Sequence, residues 1–313
     1  MKSRRWLRRC LGALFVATAL AAAAGACALA YCAGQSYDVY VATHRSSLRA
    51  TRLEGEADVG TFRKSWVKLT AASGRAVECA VLAPTGAKGR LPALVLLGGR
   101  DAGRASIENA RNLPDVVVLS VDYDLDGLSA DSLWSALPLV VDARSRVLRV
   151  PVDVMLALDY LRSRGDVDAS RVSLVGFSFG ALYVPCIAAE DRRYASAVMV
   201  EGGGNLTRLI QHNLAPWTDS ATSVVGGVLG GWLLRPLEPL RFAPRVAPTP
   251  LLMLNGTADA RVPRECAEAL FANAREPKKL LWVEAGHVDP KDPALIDRIV
   301  RVLERELRSS RAL

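Results

Sequence analysis

Ser178 sits at the centre of Gly176-Phe177-Ser178-Phe179-Gly180, with a glycine two residues away on each side. The apolar run Arg171 to Gly176 precedes it and a helical pattern from Phe179 to Glu190 follows, so the serine falls on a strand-to-helix turn. Such a turn is tight enough to strain the serine backbone, and the glycines let strand and helix approach each other. The strain holds the hydroxyl clear of the sheet, where a base and a substrate carbonyl can both reach it. The plainer reading is a serine in an ordinary turn.

A serine hydroxyl attacks a carbonyl only when a base takes its proton. The chain has three histidines, His44, His212 and His287. His44 lies before the expected start of the folded domain, and His212 has no clear strand before it. His287 ends Leu280-Leu-Trp-Val-Glu-Ala-Gly-His287, an apolar strand closed by a glycine turn. A carboxylate should orient the imidazole and stabilise its protonated form. Asp259 follows the apolar run Pro250 to Gly256, and Glu201 ends Tyr194-Ala-Ser-Ala-Val-Met-Val-Glu201, so both are candidates. Glu201 reads otherwise as a strand-end carboxylate facing solvent or a helix terminus.

Gly-Phe-Ser-Phe-Gly, Gly256-Thr-Ala-Asp259-Ala-Arg-Val-Pro263 and Glu284-Ala-Gly-His287-Val-Asp289 resemble, in this order, the nucleophile, acid and base motifs of the α/β-hydrolase superfamily. The likeness is strongest to its dienelactone-hydrolase and acetyl-esterase-like branch and spans Trp66 to Leu307. It implies a serine hydrolase working through an acyl-enzyme, with Asp259 as the acid because its flanks match the pattern. Glu201 remains the alternative, since some relatives place the acid after the earlier strand. An oxyanion hole would combine the Phe179 N–H with that of Arg100, just beyond the strand Leu91 to Gly99. Relatives often carry His-Gly where this chain has Gly98-Gly99. The glycines at 98, 99 and 103 lack a full dinucleotide-loop pattern. The resemblance implies no substrate, because the fold serves many chemistries.

These residues need a scaffold, and the pattern supplies one. Apolar runs around Leu94, Val117, Val175, Val198, Met253 and Leu281 read as strands buried on both faces. Helical patterns alternate with them, among them Val154 to Leu161, and Ile296 to Leu307 behind an Asp292-Pro293 start. Trp66 to Pro84 reads as an antiparallel hairpin at a sheet edge. The expected fold is α/β, a mostly parallel doubly wound sheet flanked by helices, forming one domain over residues 45–313. Residues 205–246 break the alternation. They read equally as a helical cap over the nucleophile or as helices packed on the sheet. Asn205-Leu-Thr207 matches a glycosylation sequon, which we take as fortuitous.

Lys2, Arg4, Arg5, Arg8 and Arg9 precede an uncharged apolar segment over 10–33. That segment is long enough to span a bilayer, yet it is alanine-rich and contains Ala28-Leu-Ala30, an acceptable cleavage site before Tyr31. Residues 1–34 are therefore an export signal or a membrane anchor, and the body is periplasmic or secreted, with the positive-inside bias directing it outward. Five of the net eight positive charges belong to this leader. The remaining cations are scattered, which gives no nucleic-acid footprint. Cys79, Cys186 and Cys266 read as small buried hydrophobes, and no metal-ligand spacing appears. The expectation is an exported esterase acting on a small-molecule ester or acyl substrate, with neither cofactor nor metal. An acyltransferase or thioesterase with the same triad, and a non-catalytic binding module on the hydrolase fold, are the alternatives.

Overall fold

The computed structural model describes residues 36–313 apart from 101, 111–112, 126–132 and 290–291, together with scattered positions between 23 and 34. The leader segment 10–33 lies almost wholly outside the described residues. Among those described, no helix is long and apolar enough to cross a membrane.

The six apolar runs become β4 (Leu91–Leu97), β5 (Val117–Val121), β6 (Val167–Phe177), β7 (Ser196–Val200), β8 (Leu251–Gly256) and β9 (Lys278–Val283). They pair in parallel in the order β5-β4-β6-β7-β8-β9. Alternation along a strand sends neighbours to opposite faces, and here both faces are covered. From β4, Val95 and Leu97 enter one core cluster, with α2 (Leu133–Ser163) and α3 (Val184–Glu190). Leu94 and Leu96 enter the other, with the last helix. That helix spans Pro293–Ser309 and starts as its sequence indicates: the Asp292 carboxylate accepts the Leu295 N–H, and Ile296, Ile299, Leu303 and Leu307 are buried. The architecture is thus an α/β doubly wound, mostly parallel sheet.

The Trp66–Pro84 hairpin forms as β2 (Phe62–Ala71) and β3 (Ala76–Pro84), but it is not the edge. β1 (Leu48–Val59) pairs outside β2, with most of its residues exposed. Its Arg49, Arg52, Glu54, Glu56 and Asp58 erase the apolar alternation that marks a strand, and they protect an open edge from further pairing. The fold also begins before residue 45. Tyr37, in α1 (Tyr37–His44), is buried and its hydroxyl donates to the Leu148 carbonyl at 2.9 Å.

Residues 205–246 divide in two. α4 (Leu206–Leu214) and α5 (Ser220–Leu233) form a hairpin, whereas α6 (Pro239–Val246) belongs to the body, with Phe242, Ala243 and Val246 in the main core. Gly226, Gly227, Gly230 and Gly231 of α5 all face α4: a Cβ on Gly231 would lie 2.1 Å from Thr207 Oγ1. Those glycine pairs therefore serve close packing. Val225 and Val228 of α5 point outward, exposed. Glu238 holds the arrangement together, its carboxylate accepting the N–H groups of Asn205, Leu206 and Leu240. Asn205 caps α4 by accepting the Arg208 N–H.

Candidate active site

The site lies at the carboxyl ends of β6, β7, β8 and β9, where the parallel strands of an open sheet leave a crevice. Ser178 follows β6 directly and has φ +52°, a left-handed backbone unusual for a serine. Its N–H donates to the Val200 carbonyl at 2.9 Å, which ties the turn to β7. A Cβ on Gly176 would lie 2.6 Å from the Gly180 carbonyl oxygen, and one on Gly180 would lie 2.3 Å from that of Leu97. Both glycines are therefore required by close backbone approach. The helical pattern after Phe179 opens as a 3-10 turn, Gly180–Tyr183, before α3 begins.

Asp259 stands in the loop between β8 and α7 (Arg264–Asn273). Its Oδ1 accepts the Arg261 N–H at 2.7 Å and the Val262 N–H at 2.9 Å. His287 stands in the loop after β9. The two loops are joined backbone to backbone, Thr257 N–H to the Val283 carbonyl and Ala258 N–H to that of Ala285. Gly256 lets them cross, since a Cβ there would lie 2.6 Å from the Ala285 oxygen.

The structure brings three predicted residues into one chain of contacts. Ser178 Oγ lies 2.7 Å from His287 Nε2, and His287 Nδ1 lies 2.9 Å from each Asp259 oxygen. Burial by itself would push the Asp259 carboxyl up. The hydrogen bond from His287 and the N–H groups of Val262 and Arg261 outweigh it and hold the carboxyl below its usual range.

Glu201 does not face solvent. It is 2% exposed, has φ +52°, and its Oε2 lies 3.2 Å from His287 Nδ1 while accepting the Val288 N–H. Burial is the largest influence on its carboxyl and Asp259 repels its charge; together they raise it to about 7. Donor atoms of Glu201, Asp259 and His287 lie within 4.8 Å of one another, close enough to hold a cation. A cation there would take Nδ1 from Asp259, so the trio can serve a metal or a Ser178 proton relay, not both.

The Phe179 N–H donates to no backbone carbonyl of the described residues, as an oxyanion donor must not. Arg100 opens the loop beyond β4. That loop is fixed through the Gly98 carbonyl, which accepts the Gly180 N–H at 3.1 Å and the Tyr123 hydroxyl at 2.6 Å. Tyr123, buried and edge-on to the Phe179 ring at 5.6 Å, carries no motif that sequence reading could find. The other histidines are elsewhere. His44 stacks on Tyr40 in α1. His212 in α4 donates from Nε2 to the Ala260 carbonyl at 3.0 Å, and Asn213 Nδ2 donates to the Arg261 carbonyl at 2.9 Å. The helical hairpin is thereby fastened to the Asp259 loop.

Residues 149–287 match the prolyl oligopeptidase family, a stretch that runs from α2 to His287. The chain is 32% identical over 144 residues to YfhR of Salmonella typhi, covering 44% of this chain and 47% of that protein. It thus spans about half the length of the curated relatives it matches. An acetyl xylan esterase from Thermoanaerobacterium superposes with a TM-score of 0.62 at 15% identity, over 84% of this chain and 90% of that one. An acetyl xylan esterase from Paenibacillus gives 0.61 at 18% identity, over 86% and 92%. Likeness at such identity concerns the fold. The left-handed serine after the central parallel strand and the carboxyl-end loops that converge on it sit on this shared architecture, the α/β-hydrolase fold.

Proposed function

We propose that the chain is a serine hydrolase that cleaves carboxylic-ester bonds of small molecules through an acyl-enzyme on Ser178. The observation that carries this reading is the unbroken contact from Ser178 Oγ through His287 to Asp259, at 2.7 and 2.9 Å. In that arrangement His287 Nε2 takes the hydroxyl proton as Oγ bonds to the carbonyl carbon. The tetrahedral oxyanion is stabilised by the N–H groups of Phe179 and Arg100. Collapse expels the alkoxide, which takes the proton from the imidazolium, and water repeats the sequence to release the acid and regenerate Ser178. Asp259 holds the imidazole oriented throughout. No step requires a cofactor.

The α4–α5 hairpin stands beside the Asp259 loop, and we assign it one wall of the acyl pocket. The test is labelling by a fluorophosphonate probe together with hydrolysis of nitrophenyl esters graded in acyl length, with a peptide anilide alongside. Labelling and ester turnover in the wild type, both lost in Ser178→Ala, are the expected result. Undiminished turnover in Ser178→Ala overturns the reading. Added alcohol or thiol acceptors distinguish hydrolysis from acyl transfer.

Export is a further part of the proposal. Five cations before the 10–33 segment favour an N-terminus retained in the cytoplasm and a body carried outward, whether the segment is cleaved or kept as an anchor. A phosphatase reporter fused after Leu313, working only outside the cytoplasm, should be active. A silent reporter on a stable fusion rejects export.

A further inference from the structure

We propose that Glu201 is a second positioning carboxylate for His287, acting on the same imidazole N–H as Asp259 and fixing the loop that presents it. The inference rests on the serine-hydrolase reading and changes its acid from one residue to a pair.

Three carboxylate oxygens converge on His287 Nδ1: both of Asp259 at 2.9 Å and Oε2 of Glu201 at 3.2 Å. The same Glu201 oxygen accepts the Val288 N–H, one residue beyond the histidine. Glu201 thus grips the base by its ring and its following peptide group. The site is also built to hold it. The Glu201 N–H donates to the Leu254 carbonyl at 2.7 Å, its left-handed backbone turns the side chain away from the line of β7, and the Gly202 carbonyl accepts Asn255 Nδ2 at 3.0 Å. A Cβ on Gly202 would lie 2.7 Å from the Met199 methyl and 2.8 Å from the Ala181 Cβ, so the turn admits glycine there and little else.

A buried carboxylate is costly unless something cationic repays it. Here the cation is transient. When Ser178 gives its proton to Nε2, the imidazole becomes an imidazolium whose Nδ1–H faces all three oxygens, and charge on Glu201 stabilises that state beyond what Asp259 supplies. The proton stays on the ring and passes to the leaving alkoxide. The charged groups acting on Glu201 are His287, from the loop after β9, and Asp259, from the loop after β8. Because the Glu201 carboxyl titrates at about 7, its charge is available in the alkaline half of the working range.

Steady-state kinetics of the full chain on the best ester of the screen test this, with Glu201→Gln as the main variant. The amide keeps an acceptor for the Val288 N–H and removes the charge. Above about pH 7.5, kcat should fall about tenfold with KM within about twofold, and below about pH 6, where Glu201 is protonated, the two enzymes should converge. Adding Glu201→Gln to Asp259→Asn should cost about a further tenfold at alkaline pH. A Glu201→Gln to wild-type ratio near one at every pH and in both backgrounds overturns the proposal. Should the variant fail to fold, the wild type still decides. Its downfield imidazole N–H resonance should titrate with an added step near pH 7, and a single step overturns the pairing. Ser178→Ala separates the layers. If it is inactive while Glu201→Gln is neutral, only this inference falls; if it is fully active, the hydrolase reading falls with it.

Discussion

Gly180 and Leu97 approach so closely that a Cβ on the glycine would lie 2.3 Å from the leucine carbonyl oxygen. The turn after β6 and the end of β4 are therefore one backbone unit, joined also by the Gly180 N–H to the Gly98 carbonyl. Gly180→Ala should force them apart, costing about 1–3 kcal/mol of stability. It should also cost about 10² in kcat, because Phe179 and the loop opening at Arg100 would lose their common geometry. Calorimetry and ester kinetics check the two together, and an unperturbed variant would mean that the two elements are not coupled.

The left-handed Ser178 carries strain that only a residue without a Cβ escapes. Ser178→Ala and Ser178→Gly should both lose on the order of 10⁴ or more in kcat. The glycine variant should nevertheless melt higher than the alanine variant, by about 1 kcal/mol or a few degrees. Thermal denaturation of the pair reads this directly. Equal melting temperatures would remove strain from the account.

Asn213 and His212 fasten the helical hairpin to the loop of Asp259 by single hydrogen bonds to the carbonyls of Arg261 and Ala260. Replacing both by alanine should loosen the acid loop, lowering kcat about tenfold, and should leave labelling by a small fluorophosphonate detectable. Loss of labelling would place these residues in nucleophile activation itself, contrary to their geometry.

Stability should depend on pH through Glu201 with a definite sign. Its carboxyl rises from 4.5 to about 7 on folding, so the folded chain binds this proton more tightly than the unfolded one. The stability it contributes is full below about pH 4.5 and is lost as the pH rises through about 7. Asp259 works in the opposite sense: lowered on folding, it stabilises above the ordinary carboxylate range and ceases to do so in acid. The melting temperature of the wild type should therefore drop relative to Glu201→Gln between about pH 5 and pH 8. Parallel curves would show that Glu201 titrates alike in both states.

Ser178, Asp259 and His287 were legible in the sequence because each follows an apolar strand, with glycines placed where the backbones cross. Gly176 and Gly180 serve the serine, and Gly256 serves the crossing of the other two loops. Such needs are local, and short motifs record them. Glu201 was legible as a strand-end acid, but not its burial against the His287 loop, since that depends on a distant segment, the Val288 N–H it accepts lying 87 positions away. Tyr123 is hidden for the same reason: its hydroxyl meets a carbonyl in the loop just beyond β4, and no spacing announces it. β1 escaped because an edge strand studded with charge has no apolar period to find. The division of 205–246 was unreadable because apolar content alone does not tell a helix that completes the core, like α6, from one that packs chiefly against a neighbouring helix, like α5.

Among the described residues β9 is the last strand of the sheet and pairs with β8 alone, yet the loop it feeds carries His287. Ser178 follows β6, a strand flanked on both sides. Peeling one edge strand breaks far fewer hydrogen bonds than melting the sheet, so under the proposed function His287 should depart on warming while Ser178 is still housed in folded structure. Turnover should then fail before the fold does, and cooling should restore it by re-zipping one strand instead of refolding a domain. The temperature interval between lost turnover and lost fold becomes a direct gauge of how firmly a single outer strand is held.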